Sequence, residues 1–136
     1  MLSKNILIAE DDEDDVEIFK EVLTDLEVNV NLDIAVDGIE LMKMLEDATV
    51  LPELIFLDLN MPFKNGMLCL QEIKANSRWK NIKVIILSTS SHQDQIKAAY
   101  EKGVDFYMVK STNYIDFKEA VAACLQKTYT QPNINI

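Results

Sequence analysis

Five short apolar runs, "NILIA", "LDIAV", "ELIFL", "KVIILS" and "VDFYMV", alternate along the chain with stretches whose apolar residues recur at helical spacing. Val16, Phe19, Leu23 and Leu26 mark the first such stretch, and Phe117, Val121, Cys124 and Leu125 the last. This alternation admits few folds. A strand that is apolar on both faces needs cover on both sides, and a strand-helix-strand crossover is right-handed. The pattern therefore predicts a doubly wound α/β domain, a five-stranded parallel sheet with five helices packed on its two faces. Local signals agree: Asp37 to Glu40 and Ser91 to Asp94 read as capping boxes, Asn113 as the cap of the last helix, and Gly103 as the end of the fourth. With 136 residues, 49% of them hydrophobic, such a domain builds its core without disulfide or metal staples.

Charge excludes some functions. Twenty-three acidic residues against 13 basic ones give a formal charge of -10, which opposes phosphate backbones and anionic membrane surfaces, so neither nucleic acid nor membrane is an expected partner. The opening "MLSKNILIAEDDEDD" meets acids before a signal-peptide core is complete, and nowhere do about 18 apolar residues run together, so a cytoplasmic location is expected. Cys69 and Cys124 lie in helical patterns without metal-type spacing and read as buried free thiols.

In a doubly wound sheet, ligands bind beyond the carboxyl ends of the strands. Glu10 and Asp11 follow the first strand, Asp58 closes the third, Ser88 and Thr89 end the fourth, and Lys110 ends the fifth. Carboxylates gathered at one edge repel one another unless a cation sits among them, and oxygen donors without histidine or cysteine suit Mg²⁺. Asp12, Glu13, Asp14 and Asp15 are assigned to the helix start, where acids favour the positive end of the helix dipole and meet solvent. His92 falls in a polar loop and reads as a surface residue.

The segments "ILIAEDD", "LIFLDLNMPFKNG", "VIILST" and "FYMVK", in this order and spacing, resemble the four signature segments of response-regulator receiver domains over residues 4 to 127. "LDLNMPFKNG" and "VKSTN" further resemble the receiver subgroup that includes the phytochrome-associated regulators. The resemblance implies a flavodoxin-like (βα)5 fold with strand order 2-1-3-4-5. It implies that Asp58 accepts a phosphoryl group, that Glu10, Asp11, Asp58 and the backbone carbonyl of Asn60 hold Mg²⁺, and that Lys110 pairs with the phosphoryl group. Ser88 and Tyr107 would form the switch that responds to it, with Asn60 and Thr89 bordering the site. The donor would be a sensor histidine kinase, a histidine phosphotransfer protein or a small phosphodonor, and the output would be binding to a downstream protein by a monomer or weak homodimer. One departure stands out: Ser111 follows Lys110, where receivers usually carry proline, so a different loop is expected there. The receiver is expected to occupy residues 1–127, with a flexible tail over 128–136.

A different class of function is also compatible with an aspartate at a strand end beside Mg²⁺, namely an aspartate-nucleophile phosphohydrolase. Such enzymes carry a general acid two residues on, where this chain has Asn60. A flavodoxin-type cofactor binder fits less well, since no Ser/Thr-rich phosphate loop follows the first strand.

Overall fold

The computed structural model describes residues 4–128. Its elements alternate as expected: β1 (Lys4–Ala9), α1 (Glu13–Asp25), β2 (Val30–Ala35), α2 (Gly38–Asp47), β3 (Leu54–Asp58), α3 (Gly66–Ala75), β4 (Lys83–Ser88), α4 (Gln93–Glu101), β5 (Phe106–Val109) and α5 (Tyr114–Thr128). All strand pairs are parallel and the sheet order is β2-β1-β3-β4-β5. The flexible tail expected from residue 128 onward lies, apart from Thr128, outside the described residues.

Side chains that alternate along each strand feed two separate cores. Leu7, Ile55, Leu57, Val84, Ile86 and Tyr107 point to one face and pack with Leu41, Leu45, Leu70, Ile73 and Ala99 from α2, α3 and α4. Ile6, Ile8, Phe56, Ile85, Leu87 and Met108 point to the other and pack with Phe19, Val22, Phe117, Val121 and Leu125 from α1 and α5. Phe19 and Phe56 meet edge to face at 4.7 Å between ring centres, an arrangement favoured by the ring quadrupoles. β3 is buried at every position, as a central strand must be, whereas the edge strand β2 alternates between half-buried and exposed over most of its length.

Helix boundaries follow local chemistry, with one exception. Asp37 accepts a hydrogen bond from the Glu40 amide at 2.8 Å while the Glu40 carboxylate accepts one from the Val36 amide at 3.0 Å, a reciprocal start for α2. The side chain of Asn113 caps α5 through the Asp116 amide, and Gly103 ends α4 with φ at +96°. The box expected from Ser91 to Asp94 does not form: α4 begins after His92, whose side chain makes no capping bond. In its place the loop is ordered by serine hydroxyls, Ser88 Oγ accepting from the Ser90 amide at 3.1 Å and Ser90 Oγ from the His92 amide at 3.2 Å. β5 starts two residues later than the apolar run suggests, because the Asp105 carboxylate turns back to accept hydrogen bonds from the Val84 amide and from Lys74. Both cysteines are buried and free, and burial pushes their thiols up to about 11, so they are protonated and unreactive at neutral pH.

Candidate functional site

Register brings the expected residues to one edge. Asp58, the last residue of β3, lies opposite Leu87, and Ser88 lies opposite Val109, with the Lys110 amide donating to the Ser88 carbonyl at 2.7 Å. The Glu10 amide continues the β1–β2 ladder by donating to the Ala35 carbonyl at 2.9 Å. A cleft of about 220 Å³ opens there, lined by Glu10, Asp11, Asp12, Asp15, Asp58, Asn60, Thr89 and Lys110. The backbone of Asn60 donates to Asp58 Oδ1 at 3.2 Å, so that one carboxylate oxygen is fixed by the loop that follows it.

Glu10, Asp11 and Asp58 each present a carboxylate oxygen, and these oxygens lie within 4.8 Å of one another. Glu10 is 2% exposed and Asp58 6%, so both are largely withdrawn from water. Against them stands one cation. Lys110 Nζ donates to Glu10 Oε1 at 2.8 Å and to Asp15 Oδ2 at 3.0 Å, and lies 3.9 Å from Asp58 Oδ2. Burial alone would lower the Lys110 pKa, but its hydrogen bonds to Glu10 and Asp15 and the charges of Asp58 and Glu10 outweigh it and raise the pKa. The ammonium is therefore permanent. Burial and then the neighbouring Asp58 raise the Glu10 pKa as well, up to about 7 despite Lys110, which for an acid favours the neutral form.

Asp15 is the correction to the acidic run. Asp12 is the N-cap of α1, accepting from the Asp14 and Asp15 amides, as an acid at a helix start should. Asp15, one turn further, holds Lys110 instead of serving only the helix start and solvent. The contact joins positions 95 residues apart, and no local pattern signals it. In the loop after β5, every peptide bond is trans, and Ser111 Oγ accepts from the Asn113 amide at 3.1 Å. His92 is exposed, as expected. Sequence reasoning missed Gln95, whose side-chain amide donates to both Ser88 Oγ and Tyr107 Oη.

The Glu10 environment has a measurable consequence. A carboxyl whose pKa is raised from 4.5 to about 7 by folding binds more protons in the folded state between those values. Its contribution to stability is complete below about pH 4.5 and is lost as pH rises through about 7. In the metal-free protein, urea unfolding of wild type should weaken relative to Glu10→Gln as pH rises from 5 to 8, by a few kcal/mol. Equal pH slopes in the two proteins would remove Glu10 as the buried proton-holding group.

The sequence and the fold both have close counterparts. Residues 6–122 match the model of the response regulator receiver domain. The chain is 38% identical over 123 residues, 87% of its length and 84% of the relative's, to response regulator Rcp1 of Synechocystis sp.. It is 32% identical over 121 residues, 88% of its length and 91% of the relative's, to the chemotaxis protein CheY-3 of Vibrio cholerae. Among solved structures it resembles the phosphorylated cyanobacterial phytochrome response regulator RcpA, with a TM-score of 0.87 at 32% identity, covering 95% of this chain and 96% of that one. It also resembles the Mn²⁺-bound form of Rcp1, with a TM-score of 0.83 at 34% identity and 98% coverage of each chain. These matches support phosphoacceptor signalling and not the phosphohydrolase alternative. With its five strands in the expected order and its acids and lysine at one edge, the chain belongs to the response regulator receiver domain family.

Proposed function

We propose that Asp58 is the phosphoryl acceptor of a two-component or phosphorelay system and that the phosphorylated domain signals by binding another protein. The observation that carries this reading is the convergence of three carboxylates and one half-buried ammonium on the strand end where Asp58 sits. An Asp58 carboxylate oxygen attacks phosphorus as the bond from phosphorus to the donor's histidine nitrogen breaks, and the freed imidazole takes up a proton. Charge builds on the transferring oxygens. Lys110, 3.9 Å from Asp58 Oδ2, is close enough to move toward them from Glu10 and Asp15. The oxygen-only donor set of Glu10, Asp11 and Asp58, completed by the Asn60 carbonyl, fits a hard divalent cation, Mg²⁺ by preference, and Rcp1 binds Mn²⁺. That cation, when bound, neutralises the acidic cluster and the phosphoryl oxygens. Asn60 and Thr89, both exposed at the cleft, border the acyl phosphate and set how fast water reaches it.

The donor is a sensor histidine kinase or a histidine phosphotransfer protein, and the signal passes through Ser88 and Tyr107 to a downstream partner. No helix of the described residues is long and apolar enough to cross a membrane. Incubation with a small phosphodonor and Mg²⁺, followed by intact-mass analysis and mapping of the acid-labile site, tests the proposal. One adduct on Asp58 supports it; an adduct elsewhere, or none, overturns it.

Trp79 gives a control for metal binding. It is buried just ahead of β4, at the amino edge of the sheet, and a strand of this length separates the edges by roughly 17–20 Å. Its emission should change little at saturating Mg²⁺ while the amides of residues 10, 11 and 58 to 60 shift in NMR spectra. Strong quenching would place the cation elsewhere.

A further inference from the structure

Among the described residues, Ser88 and Tyr107 share no hydrogen bond of their own; one side chain spans them. The Gln95 amide nitrogen, in the first turn of α4, donates to Ser88 Oγ at 3.3 Å and to Tyr107 Oη at 2.9 Å. Tyr107 in turn donates its hydroxyl proton to the Ser90 carbonyl at 2.9 Å, and its backbone amide donates to the Tyr100 hydroxyl, also on α4, at 3.2 Å. The enclosure is tight: Ser88 is fully buried and Tyr107 is 8% exposed. Both lone pairs of Ser88 Oγ are engaged, by the Ser90 amide and by Gln95, which leaves its own proton to be offered to an acceptor.

From this arrangement we infer that Gln95 is the positioning residue through which a displacement of the Ser88 hydroxyl reaches Tyr107 and helix α4. A primary amide carries its two protons in one plane on one nitrogen. It cannot follow Ser88 Oγ without re-aiming its other proton relative to Tyr107 Oη. A phosphoryl oxygen on Asp58 that draws the Ser88 hydroxyl therefore alters the tyrosine's accepted bond and its hold on the Ser90 carbonyl together. Within this network Gln95 and Tyr100 belong to the helix, and of the two it is Gln95 that also bonds Ser88. A pull on it is a pull on α4. The inference rests on the proposed reading of Ser88 and Tyr107 as the phosphoryl-responsive pair.

The test uses full-length protein labelled with 3-fluorotyrosine, Mg²⁺ and the phosphoryl mimic beryllofluoride, with the Tyr107 resonance assigned by Tyr107→Phe. Wild type, Gln95→Met and Ser88→Ala are compared at equal site occupancy, which is read from the backbone amide of Asp58. Gln95→Met keeps the length and helix preference of the side chain but has no donor; Gln95→Ala is the second variant and carries the same expectation. In wild type the Tyr107 resonance should shift and amide hydrogen exchange in α4 should change. In Gln95→Met the Ser88 amide should respond as in wild type, while the Tyr107 shift and the α4 exchange change fall to less than half. In Ser88→Ala both should be lost. A full Tyr107 response in the Gln95 variants overturns the role of Gln95 alone. A Tyr107 resonance that ignores beryllofluoride in wild type, or responds fully in Ser88→Ala, overturns the underlying pair as well.

Discussion

Replacing Asp58 with alanine should abolish phosphoryl uptake while leaving the fold intact. Asp58 closes β3 at 6% exposure, with Glu10 and Asp11 oxygens within 4.8 Å and one ammonium 3.9 Å away. Removing it deletes the proposed nucleophile and one of the carboxylates crowded around Lys110. The remaining Glu10 and Asp15 keep the lysine paired at 2.8 and 3.0 Å, so no charge is stranded. With a phosphodonor and Mg²⁺, intact mass should show no adduct. In the absence of metal, unfolding should occur at an equal or slightly higher urea concentration, because a buried like-charge contact has gone. The Glu10 pKa should fall toward its ordinary value, since the neighbouring Asp58 is one of the causes of its rise. Phosphoryl uptake at the wild-type rate would assign the chemistry to another residue.

The second large effect is expected at Gly66, where α3 begins. A Cβ there would lie 2.3 Å from the Asp58 carbonyl oxygen and 2.8 Å from the Leu59 Cα, and both are backbone atoms that no side-chain rotation relieves. The Gly66 amide also donates to the Leu59 carbonyl at 2.9 Å, which ties the helix start to the chain just after Asp58. Gly66→Ala should cost about 3 kcal/mol or more, the upper end of overpacking, and should slow phosphorylation because the relief must come from the backbone that carries Asp58. Gly103→Ala is the comparison. Its Cβ would meet the flexible Lys74 side chain at 3.2 Å, and its φ of +96° makes the cost chiefly one of backbone conformation, about 1–2 kcal/mol. Urea unfolding of both variants measures the difference. Equal losses would mean that the β3–α3 connection yields more freely than its contacts allow.

The fold was legible because burial on both faces writes itself into sequence as uninterrupted apolar runs, and β3 and β4 carry it in nearly every residue. The site was legible for a related reason: residues at the ends of parallel strands share an edge whatever the loops do, so Glu10, Asp11, Asp58, Ser88 and Lys110 could be placed from strand ends alone. What could not be read were contacts made by side chains that leave their own element. Asp15 looked like any acid in a first helical turn, yet its partner is 95 residues away. No local pattern marks Gln95, yet its side chain reaches both a strand end and a tyrosine. The α4 start was misplaced because serine hydroxyls competing for nearby amides outdid the capping pattern.

The separation of the core into two halves by the sheet divides the molecule by duty. Tyr107 belongs to the half under α2, α3 and α4 and meets Gln95 there, whereas Phe19, Phe56, Phe117 and Val121 fill the half under α1 and α5. On the proposed reading the α4 side is where the state of Asp58 would be displayed, while the other side serves chiefly as ballast, apart from Asp15, which reaches Lys110 from α1. If so, substitutions in the apolar core under α1 and α5 should change melting behaviour and leave that message alone, so two such domains could diverge in robustness while still speaking to the same partner.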